Sequence, residues 1–213
     1  MKLYASALIV ILSVLLAGKS SAQTTRHLNF SAGGGFSVPF DRAGHDLDTG
    51  WNLDFRGGYN ATRHLALDLD FNYNRWDLNS TTLARYGEPG GYTTIWSLSF
   101  TPVYRLFPRK RLDVYAFGGP GLYYRNLSLT QPTFVSSLFC DPFFGYCYPT
   151  TVGVSQVVAS FSTYKGGVNV GTGVEVRVGG SRLKAFGEAR YSRMFTTNGS
   201  DLIFVPVTFG LRW

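Results

Sequence analysis

From His27 onward the chain reads as short runs of alternating apolar and polar positions. No run after Ala22 is long and apolar enough to cross a membrane as a helix. Trp51, Leu53, Phe55 and Tyr59 share one phase, against Asn52, Asp54, Arg56 and Asn60; Leu65, Leu67, Leu69, Phe71 and Tyr73 share one against Ala66, Asp68, Asp70, Asn72 and Asn74. A period of two places each set on one face of a strand. The link from Ala61 to His64 is short enough to make these two strands an antiparallel hairpin.

The same reading applied to the whole chain predicts eight strands. They are His27–Phe40, Trp51–Asn60, Leu65–Trp76, Tyr92–Phe107, Leu112–Arg125, Val158–Val178, Leu183–Phe195 and a last strand within Asp201–Trp213. In Leu112–Arg125 both phases hold aromatics and three glycines loosen the pattern; Val114, Ala116, Leu122 and Tyr124 are assigned outward. The links after strands two, four and six are short turns. Of the others, Asp41–Gly50 and Asp77–Gly91 are polar loops, Asn126–Val157 is the longest irregular stretch, and Thr196–Ser200 is brief.

Two features at the ends of the chain bear on where such a sheet resides. Met1 to Gly18 is a short basic start followed by an apolar run, and Ser20, Ser21 and Ala22 supply small residues for a signal-peptidase cut, so residues 1–22 are expected to be removed and residues 23–213 to form one domain. The final strand carries Val205, Val207, Phe209, Leu211 and Trp213 on a wholly apolar face. This strand resembles the carboxy-terminal strand of Gram-negative outer-membrane barrels, with Trp in place of the commoner Phe. The full set of strands resembles the small eight-stranded outer-membrane barrels of the OmpA/OmpX type.

That resemblance implies an all-β, eight-stranded antiparallel up-and-down transmembrane β-barrel in the outer membrane of a Gram-negative-type bacterium. It implies outer-membrane lipid and lipopolysaccharide as surroundings, and the barrel-insertion machinery and periplasmic chaperones as assembly partners, the terminal face from Val205 to Trp213 being the insertion signal. No appended peptidoglycan-binding domain is expected, and the protein is expected to be monomeric. Alternation alone does not separate this from a soluble lipocalin-like barrel, because a membrane barrel inverts which face is polar.

Composition agrees with strands and interfacial aromatics: Gly 25, Tyr 13 and Phe 17. The formal charge of +7, two units of which belong to Lys2 and Lys19, is too modest and scattered to suggest nucleic acid. Cys140 and Cys147 are the only cysteines, and in an oxidising envelope they are expected to form a disulfide. Phe143, Phe144 and Tyr146 lie between them as a possible contact surface for an external ligand whose identity is unknown.

With the apolar face turned to lipid, Asp54, Arg56, Asp68, Asp70, Arg105, Glu175, Arg177, Glu188, Arg190 and Arg212 face the lumen, where opposite charges are expected to pair and seal a polar core. His27, His45 and His64 are the only histidines, and none stands at a spacing that signals catalysis or a metal site. No cofactor is implied. The leading function is a structural or surface-interaction role; a small-solute pore is the alternative and a lipid A-modifying enzyme a more distant one.

Overall fold

The computed structural model describes residues 28–108, 110–179, 183–196 and 201–213. The signal-peptide reading of residues 1–22 and His27 fall outside these residues. Eight strands close into one antiparallel barrel in sequence order, the last pairing with the first. They are β1 (Leu28–Phe40), β2 (Gly50–Asn60), β3 (Leu65–Asp77), β4 (Gly90–Arg105), β5 (Leu112–Cys140), β6 (Cys147–Arg177), β7 (Lys184–Met194) and β8 (Leu202–Arg212). Leu28 and Trp213 stand at one end of the barrel. The long connections stand at the other, hereafter the loop end.

Which face is polar decides the barrel type. The residues turned outward are Phe30, Phe36, Leu53, Phe55, Leu67, Leu69, Leu98, Phe100, Val170, Val174, Phe209 and Leu211, while Asn52, Asp54, Asp68, Asp70, Asn72, Asn74 and Thr208 are buried inside. Such an apolar outer surface requires lipid, and a soluble barrel would have the opposite sidedness. Aromatics mark both edges of the band. Trp51, Tyr73 and Trp96 pack in a tilted, edge-to-face row near the loop end, with centroids 5.1 Å and 4.5 Å apart, and Tyr59, Tyr104 and Trp213 lie near the other end. Trp51 and Tyr59 are near opposite ends of β2; at ~3.3 Å rise and ~40° tilt they are separated by about 20 Å along the axis.

Two loops carry short helices, α1 (Arg42–Asp46) and α2 (Ser80–Tyr86). Asn79 caps α2 by accepting from the Thr82 N–H, and Gly87, with φ of 67°, ends it in the left-handed conformation that glycine adopts without strain. The two loops are tied together: Leu47 bridges Leu78, Asp48 N–H donates to Asp77 C=O, Asn79 N–H to Asp46 C=O, and the Thr82 hydroxyl to the Asp46 carboxylate.

The expectation of an irregular stretch over Asn126–Val157 is overturned. β5 and β6 stay paired from Leu112↔Val176 to Cys140↔Cys147, with one register shift at Leu129/Thr130. β4 pairs with β5 only as far as Thr130, and β7 with β6 only as far as Gly167, so the outer part is a two-stranded ribbon rising from the barrel rim. The alternation fails there because neither face is buried, and nothing selects apolar residues for one side. Pro132 and Pro149 are accommodated in strands whose outer edges have no partner.

Candidate functional site: the lumen and the hairpin tip

The inward positions of the strands place a compact ion-pair network across the lumen. Arg56, on β2, donates from Nε to Asp70 at 2.8 Å and from Nη2 to Glu188 at 2.7 Å, with Asp54 at 3.4 Å. Arg190, on β7, grips Asp70 with both Nη atoms, at 2.9 and 2.6 Å, and reaches Asp54 at 2.9 Å and Glu188 at 3.2 Å. The Tyr115 hydroxyl donates to the second Glu188 oxygen at 2.8 Å. All these side chains are shielded from water, where an unpaired charge would cost several kcal/mol. Two bidentate or bridging guanidiniums pair all three carboxylates, with Arg56 Nη1 left without an acceptor.

A second group centres on Glu175, which accepts from Arg212 at 2.9 Å and from Lys184, with Arg105 at 3.8 Å. Aromatic rings separate the two groups. Phe117 lies under Arg56 and Arg190, at 4.9 and 5.2 Å, while Tyr115 and Phe186 flank Arg212 at 4.9 and 5.4 Å. The rings fit because β6 presents glycine opposite them. A Cβ on Gly173 would stand 2.5 Å from Tyr115 Cζ, and one on Gly171 2.5 Å from Phe117 Cζ.

Of the charges expected in the lumen, Asp54, Arg56, Asp70, Glu175, Glu188, Arg190 and Arg212 join these two groups, and Arg105 reaches the second from the rim. Asp68 is buried but held by an amide rather than a cation: Asn29 donates to it at 3.1 Å. Arg177 departs from the expectation. It is exposed at the end of β6, beside the turn, because alternation no longer fixes a side once the strand passes the barrel wall.

The lumen is not polar throughout, contrary to expectation. Towards the loop end Trp76, Ile95, Tyr123, Met194, Leu202 and Phe204 pack into an apolar plug, with Ala43 and Leu47 of the α1 loop against it. Trp76 Nε1 donates to the Ser37 carbonyl at 3.0 Å, so its one polar group is satisfied. The inward phase of these residues was legible in the alternation. Their meeting was not, since they come from β3, β4, β5, β7 and β8.

At the far tip of the ribbon Cys140 and Cys147 form a disulfide, closing a loop of six residues. Asp141 organises that loop: its carboxylate accepts from the N–H groups of Phe143 and Phe144 at 2.8 and 3.1 Å, and its own N–H donates to Tyr146 C=O. Gly145 turns the chain at φ 68°. The loop therefore holds Phe143, Phe144 and Tyr146 outward, 90%, 75% and 73% exposed. Val205, Val207, Phe209, Leu211 and Trp213 all lie on the lipid side of β8.

The family model for the outer membrane protein β-barrel domain matches residues 8–213. A search of the curated proteins returns no match. Among solved structures, the chain is similar to Neisserial surface protein A, with TM-score 0.54 and 14% identity over 87% of this chain and 96% of that one. It is similar to a major outer membrane protein of Thermus thermophilus, with TM-score 0.53 and 12% identity over 87% and 98%. A third is outer membrane protein OprG of Pseudomonas aeruginosa, with TM-score 0.50 and 9% identity over 91% and 99%. At these identities the structures establish a shared fold, and with the family match over nearly the whole sequence they place the protein in the outer membrane of a Gram-negative-type bacterium. This chain belongs to the outer membrane protein β-barrel domain family.

Proposed function

We propose that the barrel is a closed anchor that presents the β5–β6 ribbon, with its aromatic tip, to the cell exterior for contact with an apolar surface. The observation that carries this reading is the tip itself. A disulfide and an Asp141 turn hold three aromatic side chains out in water, at the end of a ribbon that adds nothing to the barrel core. Fixing large apolar groups in the exposed state is costly unless a partner covers them, and rigid aromatic anchors lose little entropy on binding.

In this reading the barrel does not conduct. The charged groups, the aromatic layer and the plug fill successive levels of the lumen, as side chains do in eight-stranded barrels. Nor does this reading give a described histidine a catalytic role: His45 is exposed on α1, and His64 donates from Nδ1–H to the Arg105 carbonyl, 2.8 Å away, and stacks on Tyr104. The outer face from Val205 to Trp213 serves as the signal for barrel insertion and for the chaperones that deliver the chain. Lipid and lipopolysaccharide surround a monomer.

The test uses intact cells producing the protein or its F143S/F144S/Y146S variant, partitioned between buffer and hexadecane droplets. Hydrocarbon adhesion that falls with the triple variant, at equal surface amounts, is the expected result. Equal adhesion would remove the contact role. Reconstitution of the same protein in a planar bilayer tests the closed lumen, since reproducible single-channel steps would make transport the better reading.

A further inference from the structure

Above the apolar plug, where the α1 and α2 loops cross the loop end, a recess of about 170 Å³ is lined by Leu47, Leu78, Leu127, Tyr86 and Arg125, and also by the two acids Asp46 and Asp201. Arg125 follows the inward phase of Tyr115, Phe117 and Tyr123 on β5, so its side chain enters from the barrel wall. Its Nε is buried and has no hydrogen-bond partner.

The two carboxylates of the lining each have partners other than Arg125. Asp201 accepts from Arg193 at 2.6 Å and from the Thr196 N–H at 3.0 Å; Asp46 accepts from the Thr82 hydroxyl at 2.9 Å and has Arg85 at 3.7 Å. Each acid thus has an arginine of its own; Asp46 also acts on Arg125 through space, and Arg125 is the cation of this recess left without a salt bridge among the described residues. The remaining residues of the β7–β8 link, Thr197, Asn198, Gly199 and Ser200, contain no acid that could neutralise it.

We propose that this recess binds a small organic anion, a carboxylate carried on a short apolar or aromatic body. The guanidinium supplies a charge-assisted donor for the carboxylate, and the leucines and Tyr86 cover the body. A buried guanidinium edge without an acceptor is costly, and an arriving carboxylate removes that cost, which gives the site a preference for anion over neutral analogue. The plug closes the recess below, Leu47 and Leu202 belonging to both, so the ligand is held at the mouth and does not pass through the barrel.

The experiment titrates the full protein in lipid nanodiscs with a fluorinated benzoate and, separately, the matching fluorinated benzyl alcohol, reading fluorine NMR line broadening. The carboxylate is expected to bind saturably and the alcohol at least about tenfold more weakly, since a charge-assisted hydrogen bond is roughly twice as strong as a neutral one. Arg125→Gln is expected to cost at least about tenfold in carboxylate affinity, with Arg125→Lys intermediate. Ala43→Leu, which fills the recess from α1, is expected to abolish binding while leaving Arg125 in place. A folded Arg125→Gln protein that binds the benzoate unchanged would overturn the proposal, as would equal binding of the alcohol. Displacement of the benzoate by equimolar inorganic phosphate would overturn the apolar half of the site. Should Arg125→Gln fail to fold, the acid–alcohol pair and Ala43→Leu still decide.

Discussion

Strands β5 and β6 run through two environments, and their sequences change at the boundary. From Leu112 to Leu129 every second residue of β5 enters the lumen, with Asp113, Tyr115, Phe117 and Tyr123 buried. From Thr130 to Cys140 no side chain is buried among the described residues, and charge is absent until Asp141. The lower half is stabilised by burial and by ion pairs that reach across the barrel. The upper half has its own ladder, the disulfide, the turn at Asp141 and one bond to the loop end, Gln131 donating to the Glu88 carboxylate at 2.8 Å. A segment with so few tertiary contacts contributes little to folding.

The sharpest way to break the comparison is to damage the lower half. Arg190→Met leaves Asp54, Asp70 and Glu188 to share Arg56, and breaking a buried network in this way is expected to destabilise the barrel by roughly 3–5 kcal/mol. Urea unfolding in detergent or liposomes measures it. A change below about 1 kcal/mol would mean that water reaches these charges.

Gly173→Val tests the aromatic layer between the two charged groups. The added Cβ meets Tyr115 at 2.5 Å and Glu188 Cβ at 2.8 Å, so the ring must move and its hydroxyl must release Glu188. A loss of about 1–3 kcal/mol is expected in the same assay, as for overpacked cores generally.

Cutting the tip disulfide with Cys140→Ser and Cys147→Ser is expected to shift barrel unfolding by less than about 0.5 kcal/mol, like other surface changes remote from the core. The effect should appear instead in the upper half, as faster protease cleavage between residues 130 and 157. Equal cleavage rates would show that the ribbon ladder and the Asp141 turn suffice by themselves.

The smallest effect expected is on pH dependence at the β7–β8 link. The Thr196 N–H and the Arg193 guanidinium hold the Asp201 carboxyl below its ordinary range. A depressed folded-state value stabilises the link above the ordinary carboxylate range, and that contribution is lost as the pH falls through the lowered value. The protection factor of the Thr196 amide, its exchange rate referred to the intrinsic rate at each pH, should therefore fall on acidification, while Asp201→Asn should lower it at neutral pH and remove most of its pH dependence. An unchanged pH profile in the variant would assign the dependence to another group.

Much of the barrel was readable from the chain because alternation is a local property. Asp54 and Arg56 share a face whatever β2 pairs with, and the sided apolar run from Val205 to Trp213 is visible without a partner. The tip was readable as two cysteines bracketing three aromatics. Asn126–Val157 and Arg177 departed from expectation where that local rule lacks a constraint, since both ribbon faces meet water and Arg177 lies past the barrel wall; the wholly polar lumen failed because the apolar plug forms only when five strands meet. Sequence by itself determined the number of strands and, within the barrel wall, the two faces of each, while the class of barrel followed from the resemblance of its terminal strand. Only the tertiary structure decided which inward groups meet, for instance Arg190 with Asp70, 120 residues apart, or Arg125 above the plug with its Nε unpaired. Those meetings depend on how far each strand is staggered against its neighbour when the sheet closes, and stagger accumulates around the whole ring rather than within any one strand.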